Sequence, residues 1–216
     1  SLANAWPIPA RMCAASRDMM PQEQELAASR GIQPRSRVVA RDGIAVIVHP
    51  SNPVSSLSLE QLAKIFAGAY DNWQQVGGPD QKLVVLSRDS SSGTYLYFQE
   101  HVLEGRNFRR DARHLPATSA IVQSVADDVG AIGYVGLGYA REAGSSVKTL
   151  AIRVAEDAPA VAPSVDSVRS QQYALVRPLR LFTSGEPEGL AKRFRDFCMS
   201  DEGQAILSQS GYVAVR

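Results

Sequence analysis

The chain has 216 residues, 44% of them apolar and 21% charged, with a formal net charge of +1. That length can bury one core or two smaller ones, and the balance is ordinary for a globular protein. A net charge so close to zero gives no general attraction for nucleic acid or an anionic membrane surface, and no apolar run approaches a bilayer span. "SLANAWPIPA" lacks the charged-then-apolar build of a signal peptide.

In chain order, "ARMCAASRD" reads as a short buried strand followed by a polar turn at Ser16-Arg17-Asp18. "MMPQEQELAASRG" continues as a helix stopped by Gly31. "RVVARDGIAVIVHP" is a long strand signal broken only by Asp42-Gly43. "SLEQLAKIFAG" is a short amphipathic helix capped by Ser58, with Leu59, Leu62, Ile65 and Phe66 facing inward. "YDNWQQVGGPDQ" reads as a polar loop. "KLVVL" is a buried strand, and "TYLYFQEHVL" carries Tyr95, Phe98, Val102 and Leu103 at helical spacing, so a helix begins near Ser92-Gly93-Thr94.

"EGRNFRRDARHLP" is a basic stretch whose alternation with Glu104 and Asp111 suits a solvated face better than a nucleic-acid contact. "SAIVQSVADDVGAIGYVGLGYA" gives helix, turn, strand and helix. "QQYALVRPLRLFTS" is a second long strand, and the remainder is helical with a terminal extended piece. Strands alternating with helices indicate an α/β fold. If the chain leaves one lobe along "GIAVIVHP" and returns along "YALVRPLRLF", residues 1–46 and 178–216 form lobe 1, residues 47–177 form lobe 2, and two strands form the hinge.

The two cysteines, Cys13 and Cys198, read as buried free thiols, with a disulfide between them the lesser alternative. His49, His101 and His114 have no metal-ligand spacing, so neither a metal nor a cofactor is expected. "SSVK" at 145–148 matches an acylating-serine pattern without its companion motifs, and chance explains it.

The informative stretch is "SRDSSSGT", residues 87–94. Its bland reading is a helix cap, but a cap needs one hydroxyl and this turn offers Ser90, Ser91, Ser92 and Thr94 beside Arg88. Helix-terminal amides, hydroxyls and a guanidinium at one point make an anion trap. A serine hydrolase acting on phosphate esters would need a neighbouring base, and no histidine stands near, so no catalytic residue is assigned.

Together, "ASRDM", "RDGIAVIVHPSNPVSSLSLEQLAKIFAGAYDNWQQVGG", "SRDSSSGTYLYFQEHVL", "GAIGYVGLGYA", "YALVRPLRLF" and "SDEGQAILSQSGYVAV" occur in an order and spacing that resemble the phosphate-binding proteins of phosphate ABC transporters. The resemblance runs from about Ala14 to the C-terminus. It implies a two-lobed type II periplasmic-binding-protein fold that closes on its ligand. It implies no enzyme activity, inorganic phosphate as ligand, and a membrane permease of a phosphate ABC importer as partner. The location implied is the periplasm or the outer face of the cell envelope. An oxyanion receptor or phosphate sensor uncoupled from transport is the alternative.

The contact residues it implies are Arg88, Ser91, Ser92, Gly93 and Thr94 from the turn, and Ser16 with Arg17 from the other lobe. Well-known members carry an aspartate where this chain has Arg17, and that aspartate accepts the proton of hydrogen phosphate. Asp42 is the nearest substitute. Members also carry a strand, a small-residue loop and a helix ahead of "ASR", so lobe 1 is expected to be short at its N-terminus.

Overall fold

The structure, a computed structural model, describes residues 12–216. In chain order the elements begin with β1 (Met12–Ala15), α1 (Pro21–Ser29), β2 (Arg35–Val48), β3 (Ser56–Ser58) and α2 (Leu59–Ala67). Next come β4 (Val84–Arg88), α3 (Gly93–His101), β5 (Arg113–Leu115), α4 (Thr118–Asp127), β6 (Ala131–Gly136) and α5 (Leu137–Ala143). The remainder is β7 (Lys148–Thr149), β8 (Ala151–Arg153), α6 (Val165–Arg169), β9 (Val176–Thr183), α7 (Gly189–Cys198), α8 (Asp201–Gln209) and β10 (Val213–Ala214). The chain divides into two compact units that it crosses between twice. The first contains the described residues up to Asp42 with Arg177–Arg216, and the second is Gly43–Val176. These crossings compare with the 46/47 and 177/178 expected from the strand signals.

In the first unit β1 runs antiparallel to β9, Met12 opposite Thr183 and Ala15 opposite Arg180. β10 runs antiparallel to β2, Val213 opposite Arg41. Gln204 of α8 ties these pieces together. Its Nε2 donates to Val39 O at 2.9 Å and its Oε1 accepts from Val215 N at 2.8 Å. α8 starts hard against the end of α7, where a Cβ on Gly203 would lie 2.0 Å from Phe197 O, so only glycine fits.

In the second unit β6 pairs antiparallel with β2 and parallel with β4, and β4 pairs parallel with β5. β4 and β6 are buried along most of their length, as parallel strands covered by helices are, while β5 is largely exposed. Ile121 and Val125 of α4 pack with Ile47, Leu86 and Val135 in one buried cluster. Gly133 lets α4 come close, since a Cβ there would meet Ile121 Cγ2 at 2.7 Å. On the side of α3, Phe98 stacks on Tyr134 at 4.0 Å and tilts against Phe66 at 4.6 Å. Each such fully buried ring contributes about 1.5–3 kcal/mol through apolar burial. α2 forms as its sequence suggests: Ser58 Oγ accepts from Gln61 N at 3.1 Å, and Gly68 closes the helix at φ 87°. Leu62, Ile65 and Phe66 are buried, while Leu59 is half-buried.

Several expectations need correction. β1 is an outer strand of its sheet order with half-exposed side chains, not a buried one. β2 continues through Asp42-Gly43 without a break, because Gly43 sits where a Cβ would lie 2.6 Å from Val168 Cγ2 and gives close packing rather than a turn. The "polar loop" at 70–81 hides Trp73, which is fully buried and donates its indole N–H to Gly130 O at 3.0 Å. The basic stretch is a largely exposed face as expected, but Phe108 within it is buried and stacks on Tyr95 at 4.7 Å, and Arg109 pairs with Asp111. Cys13 and Cys198 are free thiols but only half-buried. Lys148, from the "SSVK" stretch, donates to Asn52 O. Among the described residues no His, Cys, Asp and Glu cluster could hold a metal, and no helix is long and apolar enough to cross a membrane.

Candidate anion-binding site

Arg88 is the last residue of β4, and α3 begins five positions later at Gly93. Its backbone is pinned from several directions. Ser87 Oγ donates to Arg88 O at 3.1 Å and lies 2.7 Å from Tyr134 Oη. Since the serine proton goes to the carbonyl, the tyrosine is the donor to Ser87. Burial pushes the Tyr134 phenol well above its ordinary range, so it remains a donor at any physiological pH. His114 Nδ1, on β5, lies 3.1 Å from the same carbonyl. β5 arrives there because Ser87 is paired with His114 and Arg88 with Leu115 in parallel register.

The guanidinium of Arg88 is differently placed. Nη1 donates to Thr118 Oγ1 at 2.9 Å, and Nη2 lies 3.7 Å from Asp89 Oδ2. Among the described residues, the buried Nε has no hydrogen-bond partner. The charge is therefore held by one neutral acceptor and one exposed carboxylate at the edge of ion-pair range. Asp89 is itself occupied with Ser91, accepting from the Ser91 amide at 3.0 Å and from its hydroxyl. Those Ser91 bonds, with Arg88 adding to them, hold its carboxyl below the usual range.

Ser92 caps α3, its Oγ accepting from Thr94 N at 3.2 Å, and it is buried. Accepting leaves the Ser92 hydroxyl proton free to donate elsewhere. Leu96 N bonds to Ser92 O at 3.1 Å, so the first amides of α3 precede any intrahelical carbonyl and project from the positive end of the helix dipole. The structure thus brings together Arg88, Ser91, Ser92, Gly93 and Thr94 at one strand end and helix start.

Ser16, Arg17 and Asp42 lie in the other unit. Ser16 follows β1 directly, half-buried. Arg17 presents its fork to Glu23, Nη1 and Nη2 each donating to a carboxylate oxygen at 2.9 Å. Asp42 is 5% exposed and accepts from Arg177 Nη2 at 2.6 Å. Burial raises its carboxyl above the ordinary range, with Arg177 opposing that shift. Sequence reasoning missed Arg177, which stands 135 residues from Asp42. It also missed Thr118. Both are ordinary residues whose meaning comes only from strand register.

The fold and this turn define a solute-binding protein built on the periplasmic-binding-protein plan. A family profile described as a PBP superfamily domain matches residues 9–202. The phosphate-binding protein PstS of Borreliella burgdorferi is 30% identical over 95% of this chain and 73% of its own length. That of Bacillus subtilis is 32% identical over 92% of this chain and 63% of its own length. The chain therefore spans less than two thirds of the second relative and under three quarters of the first. An ABC-type phosphate transport receptor from Vibrio cholerae superposes with a TM-score of 0.79 at 27% identity, covering 95% of this chain and 80% of that one. A phosphate ABC transporter substrate-binding protein from Clostridium perfringens, solved with bound phosphate, superposes with a TM-score of 0.74 at 30% identity, covering 95% and 79%. The chain belongs to the PBP superfamily and, within it, to the PstS family of phosphate-binding proteins.

Proposed function

We propose that this chain binds inorganic phosphate outside the cytoplasm and delivers it to the membrane permease of a phosphate ABC importer. The observation that carries the reading is Arg88. Among the described residues its guanidinium makes one hydrogen bond, to a neutral oxygen, and it comes from the same strand-to-helix turn as the amino end of α3 and the hydroxyls of Ser91, Ser92 and Thr94. A cation beside a helix's positive end is unfavourable until an anion sits against both. A tetrahedral oxyanion satisfies hydroxyls, amides and the fork at once. The phosphate bound to the Clostridium perfringens relative, and the phosphate-binding proteins of Borreliella and Bacillus, favour phosphate among oxyanions.

Binding requires no nucleophile, and the chain acts as a carrier rather than an enzyme. The two compact units act as its lobes, with Arg88, Ser91, Ser92, Gly93 and Thr94 supplying the contacts of the second and Ser16 and Asp42 those of the first, where Arg17, expected as a contact, is instead taken up by Glu23. Calorimetric titration with phosphate, sulfate and molybdate tests the ligand, and a chromogenic phosphate ester tests for turnover. Saturable phosphate binding in preference to sulfate is expected. Equal or stronger binding of another oxyanion would make it a receptor of a different specificity, and ester turnover would make it an enzyme.

A further inference from the structure

We infer that Thr118 is a positioning residue for the anion site, setting the direction of Arg88. This rests on the phosphate-binding reading above and extends it to a residue outside the turn.

Among the described residues, Thr118 accepts the one hydrogen bond that the Arg88 guanidinium makes. The other polar neighbour, Asp89, is exposed, stands 3.7 Å away and is engaged by Ser91. An arginine side chain has several rotatable bonds, and fixing it for capture needs at least one directional contact. Thr118 supplies that contact from a rigid place. It is the first residue of α4, three positions after Leu115, which is paired to Arg88 across β4 and β5. α4 is anchored by buried Ile121 and Val125, so the hydroxyl cannot drift.

The threonine is also not spent on its own helix. The position before α4 is Ala117, which has no side-chain cap, and Thr118 Oγ1 faces Arg88 instead. A neutral acceptor suits this role better than a carboxylate would. It orients the guanidinium without cancelling the charge that the anion needs. Accepting from Nη1 further leaves the Thr118 proton able to donate.

The test is phosphate titration of Thr118→Val and Thr118→Ser. Valine keeps the shape and removes the oxygen, and phosphate affinity is expected to fall about tenfold, the usual scale for losing one hydrogen bond to a charged group. Serine keeps the oxygen and should stay within about twofold of the parent protein. Thr118 is half-buried, so the melting temperature of either variant should be close to the parent's. In an Arg88→Lys background the valine change should matter by less than about twofold, because the fork it orients is gone.

Valine binding phosphate as tightly as the parent overturns the inference. So does a tenfold loss that persists undiminished beside Arg88→Lys, since Thr118 would then act without Arg88. A parent protein that binds no phosphate fails at the earlier step and overturns the functional reading itself.

Discussion

Arg88 and Arg17 each stand at the end of a short strand, yet the two units use them differently. Arg17 lays both Nη groups on Glu23, a carboxylate that is 6% exposed and also accepts from Met20 N at 3.0 Å. Its charge is neutralised at close range, and the pair fixes the turn into α1. Arg88 is held by a hydroxyl, with its nearest carboxylate at 3.7 Å, so its charge is oriented but not cancelled. The lesson is that residue type does not mark a binding arginine. The acceptor it is given does: a buried carboxylate makes a structural cation, a neutral oxygen leaves a capturing one.

Arg177 is the sharpest structural case, and breaking its pair is expected to have the largest effect. Asp42→Ala leaves a guanidinium buried, and arginine cannot shed its proton, so unfolding free energy should fall by about 3–5 kcal/mol. Arg177→Met should cost less, because the stranded carboxyl can take up a proton. Burial already raises the Asp42 pKa. A carboxyl whose folded pKa is raised favours the folded state at pH values below the unfolded pKa, and that support is lost as pH rises through the folded value. Arg177→Met should therefore recover stability relative to the parent on acidification. Urea denaturation of both variants at pH 7 and near pH 5 checks this, and equal losses with no pH trend would remove the asymmetry.

Arg88 is expected to behave in the opposite way, costing affinity instead of stability. Arg88→Ala should lose about 2–4 kcal/mol of phosphate binding, with urea unfolding close to the parent's. Arg88→Lys should recover only part, since a point charge cannot match a planar fork. Calorimetry and urea melts on the same samples read both quantities. Unchanged affinity in the alanine variant would reduce the turn to a capped helix start and erase the contrast with Arg17.

How much of this was readable beforehand follows from the range of each contact. The β4–turn–α3 unit was legible because strand, hydroxyl-rich turn and helix are consecutive, and Ser92-Gly93-Thr94 begins the helix where the period changes. The alternation of elements likewise gave the α/β class. What escaped was set by register. Trp73 sits in a polar stretch but reaches Gly130 across 57 residues, Thr118 reaches Arg88 across 30, and Arg177 reaches Asp42 across 135. β1 reads as buried because "MCAA" is apolar, yet among the described residues the strand borders only β9 and stays half-exposed. Glu23 could not be told from its exposed neighbours in "PQEQE" until the Arg17 fork was seen.

Asp42 separates the two arginine roles at a finer level, through selectivity. Its Oδ2 is taken by Arg177, while Oδ1 carries no hydrogen bond among the described residues. Near neutral pH phosphate keeps a proton to donate and sulfate has none, so a carboxylate acceptor favours phosphate. Asp42→Asn offers a donor in its place, and sulfate should gain on phosphate by about 1–3 kcal/mol. Competition titrations with both anions measure the difference. A preference that stays put while stability drops would leave Asp42 as nothing more than the partner of Arg177.

The smallest effect is the most discriminating for the turn itself. Ser92 both caps α3 and is proposed to donate to phosphate, and the two roles respond differently to alanine and glycine. At a helix cap, serine to alanine costs about 0.5–2 kcal/mol, whereas glycine costs only a few tenths. Both remove the hydroxyl. If Ser92 only caps, Ser92→Ala should lower the melting temperature and loosen phosphate modestly, while Ser92→Gly should leave both nearly untouched. If it is also a ligand, Ser92→Gly should keep most of the stability and still lose about 1 kcal/mol of phosphate binding, the net scale of one hydrogen bond. We expect the second pattern, because accepting from Thr94 N leaves the Ser92 proton to give. Paired melts and titrations of the two variants settle it, and a glycine variant with the parent's affinity would confine Ser92 to capping.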